Sequence, residues 1–236
     1  MDNITEAIRK IIAEYDKVVS SSREIADLDR MAKTGVAKLK AAKEIAKITG
    51  GTSAEVLLSD VFGINALSEE EITQVVTALM RHNHGRVIDS AKAAQETINA
   101  EAGVGLNPAI PGFDDTRAND LAKMIVNEES AEAVKAKAEN SSMAIVDELV
   151  KMNARLHNNV GLSVSITRTY DGVGLHNRKT PCKWCIERAG IWSYDEAQAN
   201  GVFERHVGCG CNIIYKTTRF THMQRRAGSA WEDITG

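Results

Sequence analysis

The feature that most constrains this chain is the placement of its cysteines. All four lie in one part of the 236-residue sequence, as Cys182-x-x-Cys185 and, about twenty residues later, His206-x-x-Cys209-x-Cys211. Zinc binds four nitrogen or sulfur ligands in a tetrahedron, and two short loops commonly supply them. The two paired motifs therefore predict one zinc site in the last third of the chain.

The five candidate ligands outnumber the four positions of a zinc ion. The first assignment is Cys182, Cys185, His206 and Cys209, with Cys211 as an alternate ligand or a buried thiol beside the site. The second assignment uses all four cysteines and places His206 outside the ligand set. A catalytic zinc keeps one coordination position open. The surplus of ligands therefore predicts a structural zinc, and no catalytic residue is predicted.

Two other roles for the cysteines are less consistent with the sequence. The N-terminus has acidic residues early and no apolar signal segment, and no stretch of 18 or more apolar residues follows. We therefore expect folding in a reducing cytoplasm without membrane insertion, which disfavours disulfides. A redox pair at Cys182 and Cys185 would need a βαβ context, which the sequence does not indicate.

Composition divides the chain near residue 156. Eight of the eleven aromatic residues follow it, and there Lys and Arg number ten against seven Asp and Glu. The first part is acidic, with 19 basic and 25 acidic residues. This contrast predicts a helical region at 1–155 and a zinc-binding α+β module with a C-terminal tail at 156–236.

Apolar spacings of three and four residues predict helices throughout the first part. The expected features are a helix over 4–18, a helix from a capping box at Ser21–Glu24 to Gly50-Gly51, a short helix from a capping box at Thr52–Glu55 through Val61, a long helix from a capping box at Ser68–Glu71, a loop over Gly103–Gly112, and helices near 115–127 and 130–155.

The apolar period changes from helical to alternating after residue 160. Alternation over Leu162–Tyr170 predicts a half-buried strand, and the Ile- and Tyr-rich segment Asn212–Thr217 predicts a second. Because the two strands flank the cysteine segment, we expect them to pair. The predicted fold class is mainly α, with an N-terminal helical bundle followed by a small zinc-stapled α+β module.

Basic residues near the C-terminus offer a weak nucleic-acid-binding pattern. Interleaved with Phe220 and Trp231, they would contact phosphates while the rings stack on bases. They are Lys216, Arg219, Arg225 and Arg226. A solvated C-terminal tail that docks its tryptophan is the competing interpretation.

The last third resembles a known family. The segment Ile166–Tyr170, the Cys-x-x-Cys pair, Gly190-Ile191-Trp192 and Phe203–Cys211 are similar to the C-terminal module of minor head proteins of tailed bacteriophages, of the Mu F-like head-morphogenesis type. The similarity covers roughly residues 160–235, and Gln224 and Trp231 match the end of the short versions. Many members have Arg where Gly210 stands here, which puts any polar contact of that Arg in doubt.

The resemblance implies a low-copy structural protein of the virion, in the head interior or at the portal, made in the cytoplasm of the host bacterium. Its expected partners are portal or capsid proteins, with packaged DNA contacted through the basic last third; a homo-oligomer is compatible with this interpretation. The alternative hypothesis is a zinc-stapled nucleic-acid-binding protein acting in the infected cell. An enzyme is the third hypothesis, and no acid–base or nucleophilic constellation in the sequence favours it.

Overall fold

A computed structural model describes residues 3–34, 38–170, 183–206 and 209–218, which form a series of helices followed by a small sheet. In chain order the elements are α1 (Asn3–Ser21), α2 (Arg23–Thr34), α3 (Lys38–Leu57), two 3-10 turns (Asp60–Phe62 and Ile64–Ala66), α4 (Glu69–Glu101), α5 (Asp115–Val126), α6 (Ala131–Asn159), β1 (Ser163–Tyr170), α7 (Lys183–Arg188), β2 (Gly190–Ser193), α8 (Tyr194–Ala199) and β3 (Cys211–Thr218).

Helix α3 lies along α6 at a very close approach. A Cβ atom on Gly50 would lie 2.6 Å from Ser142 Oγ and 2.7 Å from the carbonyl oxygen of Ala138, both on α6. The absent side chain therefore lets the two helices meet backbone to backbone. The prediction that Gly50-Gly51 ends a helix is wrong, because the helix continues through both glycines to Leu57.

The predicted helix from Ser21 to Gly50 is two helices, α2 and α3. The capping position is also shifted by one residue. The Ser22 hydroxyl accepts a hydrogen bond from the Ile25 amide at 3.3 Å, whereas the Ser21 hydroxyl donates to the Val18 carbonyl within α1. The helix predicted to start at Thr52 is part of α3, where the Thr52 hydroxyl donates to the Ile48 carbonyl at 3.0 Å.

Several predicted boundaries of the later helices are confirmed. Ser68 and Glu71 form a reciprocal capping box at the start of α4. The segment between α4 and α5 is irregular, as its prolines and glycines predict. Two hydrogen bonds hold it against α6. The side chain of Asn153 donates from Nδ2 to the Ala109 carbonyl at 2.7 Å, and its Oδ1 atom accepts from the backbone amide of Ala109 at 2.9 Å.

The sheet is antiparallel, with the strand order β2-β1-β3. The predicted pairing of the first and last strands is confirmed, and Ile166 on β1 lies opposite Tyr215 on β3. The edge strand β2 and the short helices α7 and α8 were not predicted. Helix α8 nevertheless had a readable start signal, since Ser193 and Glu196 form a capping box.

The sheet packs on the helical bundle rather than standing apart from it. Val164, Ile166, Ile213 and Tyr215 share one buried cluster with side chains of α3, α4 and α6, such as Leu149. Helix α6 crosses the predicted boundary at residue 156, and the division into two domains remains a prediction. The predicted fold class is confirmed, since the described residues form mainly helices followed by a small α+β module.

Candidate metal centre

Three cysteine thiols come together at the end of the sheet. Cys185 lies on α7, Cys209 precedes β3, and Cys211 is the first residue of β3. Their sulfur atoms all lie within 4.8 Å of one another, and each residue is 1% exposed. A group of buried thiols at this spacing is suited to binding a metal ion.

The spacing of the thiols agrees with tetrahedral zinc. With Zn–S bonds of about 2.3 Å, the edge between two sulfur ligands is about 3.8 Å. The sulfur atoms of Cys185 and Cys209 are 3.8 Å apart. Cys182, the remaining cysteine of the predicted site, lies outside the described residues.

His206 lies at the same site, in the turn that leads to Cys209. Its Nε2 atom is 3.0 Å from the sulfur of Cys185, and its ring packs edge-on against Trp184 with centroids 5.1 Å apart. The amide of Cys209 donates to the His206 carbonyl at 3.1 Å, which closes the turn. The structure therefore groups three of the five predicted ligands and places the imidazole of His206 beside Cys185.

A buried arginine, not predicted as a site residue, supports the thiol group. Arg168 on β1 is 1% exposed, and its Nη1 atom donates to the carbonyls of Val202 at 2.6 Å and Glu204 at 2.7 Å. Its Nη2 atom donates to the sulfur of Cys209 at 3.4 Å. The strand alternation contained the signal, because Arg168 has the same inward phase as Val164 and Ile166.

Trp184 covers the site from the side of α7. The guanidinium carbon of Arg168 lies 4.7 Å from the centre of its ring, and that of Arg188 lies 4.0 Å from it. Cations over an aromatic face are attracted by its negative charge density. Together with the partly buried Tyr170, the indole packs against the three thiols. The site is therefore walled by aromatic rings and guanidinium groups.

A second arginine links the cysteine segment to the helical bundle. Arg205 donates from Nη2 to the Cys211 carbonyl at 2.7 Å, and from Nη1 to the Cys209 carbonyl. Its Nε atom donates to the carboxylate of Asp147 on α6 at 2.6 Å. Lys43 on α3 donates to the other oxygen of that carboxylate at 2.5 Å. The sequence did not indicate these contacts.

The electrostatics of the site favour a thiolate at Cys209. A hydrogen bond with the Cys211 thiol is the main cause that lowers the pKa of Cys209, and the positive charges of Arg205 and Arg168 lower it further. The same hydrogen bond raises the pKa of Cys211. Since metals bind the thiolate form, these two guanidinium groups also favour metal binding.

The predicted nucleic-acid-binding residues are only partly described. Lys216 is exposed on β3, and its contact with nucleic acid remains a prediction. The other three, Arg219, Arg225 and Arg226, lie outside the described residues.

Within the described residues, none of the helices is both long enough and apolar enough to span a lipid bilayer. Comparison of the chain with protein family models, with curated proteins and with solved structures found no match.

Proposed function

We propose that this chain is a structural minor head protein of a tailed bacteriophage, in which a zinc ion holds the C-terminal module together. The observation that supports the proposal best is the buried group of Cys185, Cys209 and Cys211. These residues come from the two separate motifs on which the resemblance to the head-morphogenesis family depends.

The surroundings of the thiols favour a structural role for the ion. The three cysteines are each 1% exposed, and Trp184 packs against them. Catalytic zinc needs a coordination position that water or a substrate can reach. Here three buried thiols supply three positions, and Cys182 or His206 is available for the fourth, so we assign the ion no part in a reaction.

We infer that the ligand set contains the three buried thiols, with the fourth position filled by Cys182 or His206. This assignment differs from the first one drawn from the sequence, which left Cys211 outside. When bound, zinc would join the thiol of Cys185 on α7 to those of Cys209 and Cys211 at the start of β3. In a small module such bonds contribute much of the folding free energy.

The metal is tested on the purified full-length chain. Elemental analysis should find one zinc per chain, and X-ray absorption spectroscopy should find three or four sulfur neighbours at about 2.3 Å. Replacement by Co²⁺ gives a ligand-field spectrum that separates four sulfurs from three sulfurs and one nitrogen. A chain purified without chelators that contains no bound metal would refute the zinc centre.

The virion assignment is tested independently, by peptide mass spectrometry on nuclease-treated particles of the phage or induced prophage that encodes the chain. The proposal expects its peptides at a few to tens of copies per particle. Absence from particles together with abundance in infected cells would reject it. If the chain is absent from particles, a submicromolar dissociation constant for duplex DNA that rises with salt concentration would favour the nucleic-acid-binding alternative.

A further inference from the structure

Three buried charged side chains lie beneath the cysteine segment. The side chains of Lys43 on α3, Asp147 on α6 and Arg205 before β3 are 4%, 3% and 3% exposed. The two cations share one carboxylate, because Lys43 contacts Oδ1 of Asp147 at 2.5 Å and Arg205 contacts Oδ2 at 2.6 Å. Partners that are 104 and 58 positions apart in the sequence thus meet at one point.

The guanidinium of Arg205 contacts different partners with its two edges. Its Nε edge faces Asp147, and its two Nη atoms donate to the carbonyls of Cys209 and Cys211. A guanidinium is planar and presents its donors in fixed directions. Asp147 therefore determines the directions of these donors. The donors in turn determine the conformation of the backbone that carries two of the three buried thiols.

Because Lys43, Asp147 and Arg205 are buried, we expect their contacts to form together or not at all. A buried charge is costly unless each of its partners is in place, and removal of one partner leaves the others uncompensated. Arg205 satisfies its donors only when the cysteine segment adopts the conformation that presents both carbonyls. That same conformation brings the sulfur atoms of Cys209 and Cys211 together with Cys185.

From this geometry we propose that Asp147, acting through Arg205, is a positioning residue of the metal centre. Metal binding is then coupled to the docking, on α3 and α6, of the sheet module, which consists of β1, α7, β2, α8 and β3. The proposal depends on the zinc centre proposed above and adds to it a residue of the helical bundle. Coupling is reciprocal: if docking strengthens metal binding, metal binding strengthens docking by the same free energy.

The test measures the Zn²⁺ affinity of the full-length chain by competition with a chelator of known affinity. Asp147→Asn keeps the shape of the side chain and removes the charge that orients Arg205. Arg205→Lys keeps the positive charge and removes the fork of donors. Both variants retain every candidate metal ligand, and both should bind Zn²⁺ about 10–100-fold more weakly.

The control is Glu148→Gln, which removes the neighbouring carboxylate on α6. The side chain of Glu148 is 50% exposed and contacts Lys151, outside the charge cluster. The Zn²⁺ affinity of Glu148→Gln should equal that of the wild type. In the Co²⁺ form, the ligand-field spectrum of Asp147→Asn should also differ from that of the control, which a general loss of stability would not produce.

The outcomes separate the two proposals. A wild-type chain that binds no Zn²⁺ removes the metal centre and the coupling with it. A wild-type chain that binds Zn²⁺, with unchanged affinity in Asp147→Asn, overturns the coupling alone.

Hydrogen exchange on the wild type gives the same answer without any variant, and so covers the case in which Asp147→Asn does not fold. Removal of the metal by a chelator should speed amide exchange in α3 around Lys43 and in α6 around Asp147, as well as in the sheet module. Exchange changes confined to the three strands and the short helices α7 and α8 would overturn the coupling.

Discussion

Arg168 donates a hydrogen bond from its Nη2 atom to the sulfur of Cys209 at 3.4 Å, inside a site that is closed to solvent. A charged donor to a metal-bound thiolate offsets part of its negative charge and orients the ligand. The same guanidinium satisfies two backbone carbonyls of the segment before the second motif. Arg168 therefore joins strand β1 to the cysteine segment.

Replacement of Arg168 by Met should destabilise the protein strongly. The carbonyls of Val202 and Glu204 would lose their charged donor, at a cost of about 2–4 kcal/mol in the free energy of unfolding. Arg188→Met is the matched control, because Arg188 also lies over the Trp184 ring but has a side chain 22% exposed. It should cost no more than about 1 kcal/mol. If urea denaturation gave equal losses of unfolding free energy for the two variants, the role given to Arg168 would be contradicted.

Replacement of Cys185 or Cys209 by Ser should release the metal and unfold the C-terminal module. Most of the helical signal in far-UV circular dichroism should remain, because the long helices have their own buried cluster around Leu57 and Leu79. The near-UV signal of Trp184 should be lost. Lys216→Ala on β3 is the control and should retain both metal and near-UV signal. Full zinc content in either serine variant would refute that residue as a ligand.

Gly50→Ala should lower the free energy of unfolding by at least about 1 kcal/mol, although alanine favours helix. The new Cβ would meet the backbone oxygen of Ala138 at 2.7 Å, and backbone does not move aside cheaply. Gly85→Ala is the control, since a Cβ there meets no atom within 4 Å on the exposed face of α4. It should raise stability by about 0.5–1 kcal/mol. Thermal denaturation that ranks the two variants in the opposite order would contradict the close approach of α3 and α6.

Acid should destabilise the protein through His157. This residue on α6 is fully buried, its Nε2 atom lies 2.9 Å from Asn99 Oδ1, and burial lowers its pKa below 6.5. As pH falls below about 6.5, the unfolded chain takes up the proton first and gains stability relative to the fold. The loss continues until the pH passes the lower pKa of the folded state. Above about 6.5 the group is neutral in both states and contributes no pH dependence.

The measurement is urea denaturation at a series of pH values for the wild type and for His157→Gln. Both proteins retain the metal ligands, so acid release of the metal affects both curves alike. The difference in stability between them should change by up to about 1.4 kcal/mol per pH unit below pH 6.5. A difference that does not vary with pH would show that His157 keeps its ordinary pKa.

Local patterns in the sequence predicted the features that depend on neighbours along the chain. The capping box of Ser68 and Glu71 involves groups three residues apart, and the alternation before Tyr170 reports which face of a strand is buried. The cysteine spacing predicted a thiol group for the same reason, since neighbouring members of each motif are only two or three residues apart. These features need no knowledge of distant residues.

The tertiary structure alone decided the features that depend on distant partners. Gly50 reads as a helix end in isolation, and only the surface of α6 explains why a glycine lies inside α3. Asp147 and Arg205 read as solvated charges until their partners are known, because a charged side chain is buried only where opposite charges and donors from other elements meet it. The sequence by itself thus determined the mainly helical first part, the pairing of β1 with β3 and the grouping of the thiols, while the packing of α3 and α6 beneath them decided how the candidate metal centre is held.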